Sequence, residues 1–137
     1  MRDLQIIGVI APMFLNMILF NCRKSNWVRN QYKWIFVTFL FVTGIILSII
    51  YGIKNVDIAL IFWALMTPAI FSLIDYGFQS ISISIHNRDY YLWIRGSSEL
   101  SDSTIKFKAS DRIISIINIY LVIFLPFIPL FFLKMMK

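Results

Sequence analysis

One histidine, one cysteine and seven carboxylates are all that this 137-residue chain offers to acid–base, nucleophilic or metal chemistry. Their spacing suits none of the three. His86 has Arg88 and Asp89 nearby and could carry a proton, but a single histidine in a turn is ordinarily just solvated. The serines between Ser80 and Ser110 lack a G-x-S-x-G context and share that one histidine, so the sequence builds no nucleophile–base pair. Cys22 has no second cysteine with which to form a disulfide, and no CxxC or Cys/His spacing exists to hold zinc. The carboxylates are scattered over separate loops without a paired motif. No catalytic, metal or cofactor-binding residue is assigned, and an enzyme is not expected.

The elements that would have to position these residues are apolar. Hydrophobic residues make up 59% of the chain, aromatic residues 17% and charged residues only 15%, whereas charged residues alone reach about a quarter of an ordinary soluble domain. Four runs contain no Asp, Glu, Lys, Arg or His: 4–20, 34–51, 58–74 and 113–133. At about 1.5 Å per residue each approaches the roughly 30 Å hydrocarbon core of a bilayer. A backbone in lipid must satisfy its own hydrogen bonds, and these runs are too long and too uniformly apolar for barrel strands. The expectation is an all-α membrane protein, a single integral membrane domain over residues 1–137 with four transmembrane helices. The short GIKNVD connection, residues 52–57, makes the second and third helices antiparallel neighbours.

The first run carries Gln5, Gly8, Pro12 and Asn16 and begins almost at Met1. A signal peptide is disfavoured because the positive leading region is feeble and no small-residue cleavage site follows. A lipoprotein signal ending at Cys22 is disfavoured because Phe20 and Asn21 stand where small residues are wanted.

The net charge of +6 does not point to nucleic acid, because the basic residues gather at the ends of the apolar runs, where anionic headgroups meet them. With four spans, one side holds Arg2, Lys54, Lys134 and Lys137. The other holds nine Lys and Arg, including Arg23, Lys24, Arg29 and Lys33 in the first polar loop. The positive-inside rule then predicts an inner (plasma) membrane protein with both termini outside and loops 21–33 and 75–112 in the cytoplasm.

Within the long polar loop, Ile81, Ile83 and Ile85 alternate with Ser80, Ser82 and Ser84, which is strand spacing. HNRD suits a turn, YYLWIR is rich in aromatic and β-branched residues, and residues 104–110 alternate again. The loop is expected to form a small cytoplasmic β-hairpin or meander with the three isoleucines facing a buried surface, or else an interfacial segment lying on the bilayer. Tyr90, Tyr91, Trp93 and Arg95 are the candidate partner-binding residues, since Trp, Tyr and Arg most often anchor interfaces.

Inside the runs the polar groups are amides and hydroxyls. Asn16 and Asn118 are assigned to helix packing by hydrogen bonds, and Gly44 with Ser48 to a small-xxx-small close approach. The absence of an ionisable residue there argues against a proton- or ion-coupled transporter. The expected function is a non-catalytic accessory or anchoring subunit that binds other membrane protein subunits in the lipid bilayer. The alternative is a self-assembling homo-oligomeric pore or membrane-disrupting effector.

Overall fold

Every long apolar run folds as helix, because a continuous helix closes all its backbone hydrogen bonds within the segment. The computed structural model describes residues 2–23, 31–52, 56–93 and 106–135. These form α1 (Arg2–Asn21), α2 (Gln31–Tyr51), α3 (Val56–His86), α4 (Ala109–Phe124) and α5 (Ile128–Met135), with a 3-10 turn at Leu125–Phe127. Gln31–Tyr51, Ile58–His86 and Ala109–Phe131 are long and apolar enough to cross a membrane, while the apolar part of α1, Ile6–Asn21, is shorter.

The packing centres on α3. Gly8 of α1 sits against Leu60, where an added Cβ would lie 3.3 Å from the Leu60 Cβ, and further along Phe20 packs edge-on to Phe71 with centroids 6.2 Å apart. Both contacts advance in the same direction, so α1 and α3 are parallel. α2 runs antiparallel to α3, with Gly44 against Leu65 and Met66 and Trp34 against Tyr76. Only Lys33, Val37 and Gly44 of α2 are buried, and most of its remaining surface faces outward.

The chain's last apolar run breaks where its prolines dictate. Pro129 has no N–H to give to the carbonyl of Leu125, four residues before it. That carbonyl accepts instead from the Ile128 N–H in the 3-10 turn and from Trp63 Nε1 of α3 at 2.7 Å. A broken turn in an apolar setting is thus satisfied by a neighbouring helix.

The expected β-hairpin is not supported: among the described residues there is no strand, and Ser80 to Ile85 belong to α3. The three isoleucines face outward, at 52%, 52% and 67% exposure for Ile81, Ile83 and Ile85, while Ser82 between them is 2% exposed. Asp75, Gln79 and Ser82 recur at helical spacing and point inward, so polar tertiary contacts outweigh the β-propensity of isoleucine. Ser80 bonds back to the Tyr76 carbonyl at 3.0 Å, closing its hydroxyl within the helix. A turn does follow at HNRD. Asn87 takes φ 53° and donates its N–H to the Ile83 carbonyl at 2.8 Å, ending α3 with the left-handed cap that Asn tolerates. Residues 94–105, with Arg95 and part of the expected second and third strands, lie outside the described residues.

Candidate functional site

Beyond Asn87 the chain runs as an extended strap, residues 88–93, across the end of the bundle where α1 and α3 finish and α4 begins. It joins no sheet, so side chains from three helices satisfy its backbone. Ser82 Oγ donates to the Arg88 carbonyl at 3.0 Å, and Arg23 donates to the Tyr90 carbonyl at 3.2 Å. The Tyr91 N–H donates to Asp111 Oδ1 at 3.2 Å. Ser115 Oγ both accepts from the Trp93 N–H at 3.0 Å and donates to the Tyr91 carbonyl at 3.3 Å.

Tyr90 drives from this strap into the bundle and is fully enclosed. Its hydroxyl donates to Asp75 Oδ1 in a short hydrogen bond and accepts from Asn118 Nδ2 at 2.8 Å. The Arg23 guanidinium lies over its ring, 3.6 Å from the centroid. Arg23 also pairs with Asp75 at 3.6 Å and, by a short contact, with Asp89. Gln79, one helical turn beyond Asp75, donates to its second oxygen at 2.9 Å. Burial pushes the Tyr90 phenol far above its ordinary value, and the hydrogen bond to Asp75 adds to the rise against the opposing pull of Arg23, so the group stays neutral. For Arg23, burial works against the charge, but Tyr90, Asp89 and Asp75 together outweigh it and hold the guanidinium above its ordinary value.

A second pair closes the strap onto α4. Arg88 reaches both oxygens of Asp111, at 3.3 and 2.8 Å, and this hydrogen bonding holds its pKa above the ordinary value despite desolvation. Asp111 is fully buried and lies in the first turn of α4, where it accepts from the Lys108 N–H at 2.7 Å. A carboxylate in the first turn satisfies an unpaired N–H and complements the helix dipole.

His86 Nε2 lies 2.9 Å from Ser110 Oγ, the spacing of a nucleophile and its base. Its other nitrogen, Nδ1, lies 3.0 Å from Lys108 Nζ. An ammonium can only donate, so Nδ1 is the acceptor, the ring proton sits on Nε2, and the histidine donates to Ser110. This is the tautomer opposite to the one in which histidine takes a proton from serine.

Of the candidate partner-binding residues, Tyr90 is internal. Tyr91 is half-buried between Arg88, 4.4 Å from its ring centroid, and Phe107. Trp93 is at the surface, 38% exposed, with the Arg112 guanidinium 5.1 Å from its ring. Arg95 lies outside the described residues. Of the helix-packing residues, Asn118 bonds Tyr90, whereas Asn16 is fully buried with both ends of its amide unbonded. Gly44 meets α3 closely, and Ser48 bonds the Ile45 carbonyl of its own helix at 2.7 Å.

Sequence reasoning did not find Arg23, Asp75 and Asp111 as a cluster. Its one signal was the spacing of Ser72, Asp75, Gln79 and Ser82 on one helical face, matched on α4 by Asp111, Ser115 and Asn118. Among the described residues no group of His, Cys, Asp and Glu gathers as a metal site. No family, curated protein or solved structure matches the chain.

Proposed function

We propose that this chain is a non-catalytic accessory or anchoring subunit of a membrane assembly, docking a partner protein at the loop end of its bundle. It spans the inner membrane four times, both termini are outside, and the strap faces the cytoplasm. α1 counts as a span because it keeps pace with α3 from Gly8 beside Leu60 to Arg23 beside Asp75.

The observation that carries the reading is Trp93. It is a large exposed aromatic beside a guanidinium, presented on a backbone whose neighbouring groups are fixed by Asp111 and Ser115. Such preorganised aromatic and arginine groups bind with little further loss of entropy. Pore formation is less well supported, because Thr43 and Thr67 direct their hydroxyls to carbonyls of their own helices, at 2.8 and 2.7 Å.

The test is Trp93→Ala combined with Arg95→Ala. The variant is expected to remain inserted and helical but to lose the protein that copurifies in gentle detergent, by about thirtyfold in affinity, the cost of about 2 kcal/mol for one anchor. Normal copurification, together with ion leakage from liposomes containing the purified chain alone, overturns the proposal in favour of a pore.

A further inference from the structure

Lys33, at the start of α2, is only 6% exposed. Among the described residues no carboxylate lies within ion-pair distance of its ammonium. Trp34 offers its ring face at 5.2 Å. Beyond that, Lys33 feels attraction from Asp75 and repulsion from Arg23. Arg23 itself is 4% exposed; its Nη1 faces Asp75 at 3.6 Å in an ion pair, while its Nε is enclosed without a hydrogen bond. An ammonium on a nearly enclosed residue with no ion pair is unfavourable unless something brings negative oxygen to it.

Below these cations an apolar groove of about 280 Å³ runs between α1 and α2, floored by α3 and lined by Ala11, Leu15, Phe36, Leu40, Ala64 and Leu65 among others. Phe36 and Leu40 are three and seven residues from Lys33 and so share its side of α2. A chain lying in the groove would end, on the loop side, one helical turn from the ammonium.

We propose that this groove holds one acyl chain of an anionic glycerophospholipid, with its phosphate bound by Lys33. A choline headgroup would bring a second cation to Lys33, which has no ion pair among the described residues. Anionic lipids populate the cytoplasmic leaflet, where the basic asymmetry of the sequence places this end. The inference is independent of whether Trp93 docks a partner.

The purified chain is reconstituted in vesicles of equal phosphatidylglycerol and phosphatidylcholine, and the lipid it retains is identified by native mass spectrometry. One phosphatidylglycerol per chain is expected. Lys33→Gln lowers that preference by about tenfold or more, the loss of a charge-assisted hydrogen bond, while Lys33→Arg keeps it and Lys106→Gln, on an exposed side chain, leaves it unchanged. Ala11→Phe, which fills the groove, abolishes retention of either lipid and keeps the site testable if Lys33→Gln does not fold. No retained lipid, equal retention of both lipids by the unmodified chain, unaltered preference in folded Lys33→Gln, or undiminished retention in Ala11→Phe overturns the proposal.

Discussion

Arg23 and Tyr90, 67 residues apart in sequence, are held together twice: the guanidinium lies 3.6 Å from the centre of the tyrosine ring and donates to the tyrosine's own carbonyl at 3.2 Å. The end of α1 is thereby fastened to the strap that follows α3. Asp75 completes the arrangement by accepting from the hydroxyl of the same tyrosine while pairing with the same arginine.

Removing the arginine leaves Asp75 buried without its cation. Arg23→Gln is expected to destabilise the bundle by about 3–5 kcal/mol, as when one partner of a buried ion pair is deleted. Thermal unfolding in detergent, followed by circular dichroism, reads the change. A loss below about 1 kcal/mol would mean the pair is solvated.

Tyr90→Phe deprives Asp75 of a donor and Asn118 of an acceptor, which costs about 1–3 kcal/mol. Its pH dependence has a definite sign. The folded pKa is raised above the ordinary value of 10.0, so the neutral phenol's contribution is complete below about pH 10 and declines above it, where only the unfolded chain ionises. The stability gap between the parent and Tyr90→Phe should be flat up to that pH and narrow beyond it. In a near-ultraviolet tyrosinate titration of the folded protein, Tyr90 should fail to ionise near its ordinary value, so that the parent and Tyr90→Phe curves coincide there.

Two glycines on neighbouring helices should respond oppositely. A Cβ at Gly44 would lie 3.1 Å from Met66 Cγ and 3.2 Å from the Phe62 carbonyl oxygen, whereas one at Gly77 meets nothing within 4 Å. Gly44→Val should push α2 off α3 at a cost of about 1–3 kcal/mol. Gly77→Ala should be neutral or stabilise α3 by about 0.5–1 kcal/mol. Equal effects at both positions would contradict the close approach at Gly44.

The orientation can be read by labelling introduced cysteines in intact cells after Cys22 is replaced by serine. A cysteine placed after Lys137 should react with an impermeant reagent, and one at Ser101 should not. Labelling of Ser101 from outside would reverse the assignment drawn from the nine basic residues of the two polar loops.

The helices were legible because an uncharged apolar run has one conformation available in lipid. Gly44 lies close to α3, while Asn118 donates to Tyr90 of the strap rather than to a facing helix. The segment from Ser80 to Ile85 was misread because the serine–isoleucine alternation matches a strand and isoleucine favours strands, whereas the helix is set by Asp75, Gln79 and Ser82 facing inward. Asp75, placed just beyond the third run, was assigned to a loop, although Gln79 and Ser82 continue its helical face. The Tyr90 environment depends on contacts at separations of 15 and 67 residues. No local pattern encodes these, and the composition of YYLWIR does not distinguish a side chain that anchors another protein from one that anchors its own bundle.

The length of α3 sets a dimension for anything that engages the loop end. Its 31 residues extend about 46 Å, against a hydrocarbon core of about 30 Å; even tilted by about 40° the helix outreaches that core. Because the apolar stretch occupies the first part of α3, the surplus stands on the side of His86 as a rigid post. The charged contacts of Arg23, Arg88 and Asp111 brace it against α1 and α4. Trp93 is therefore held at a fixed distance from the apolar part of α3. One residue inserted into the post between Gln79 and Ser82 would lift the strap by about 1.5 Å and swing it by about 100°, carrying Tyr90 away from Asn118. The covalent length of one helix is thus a gauge for the height and bearing of the loop end.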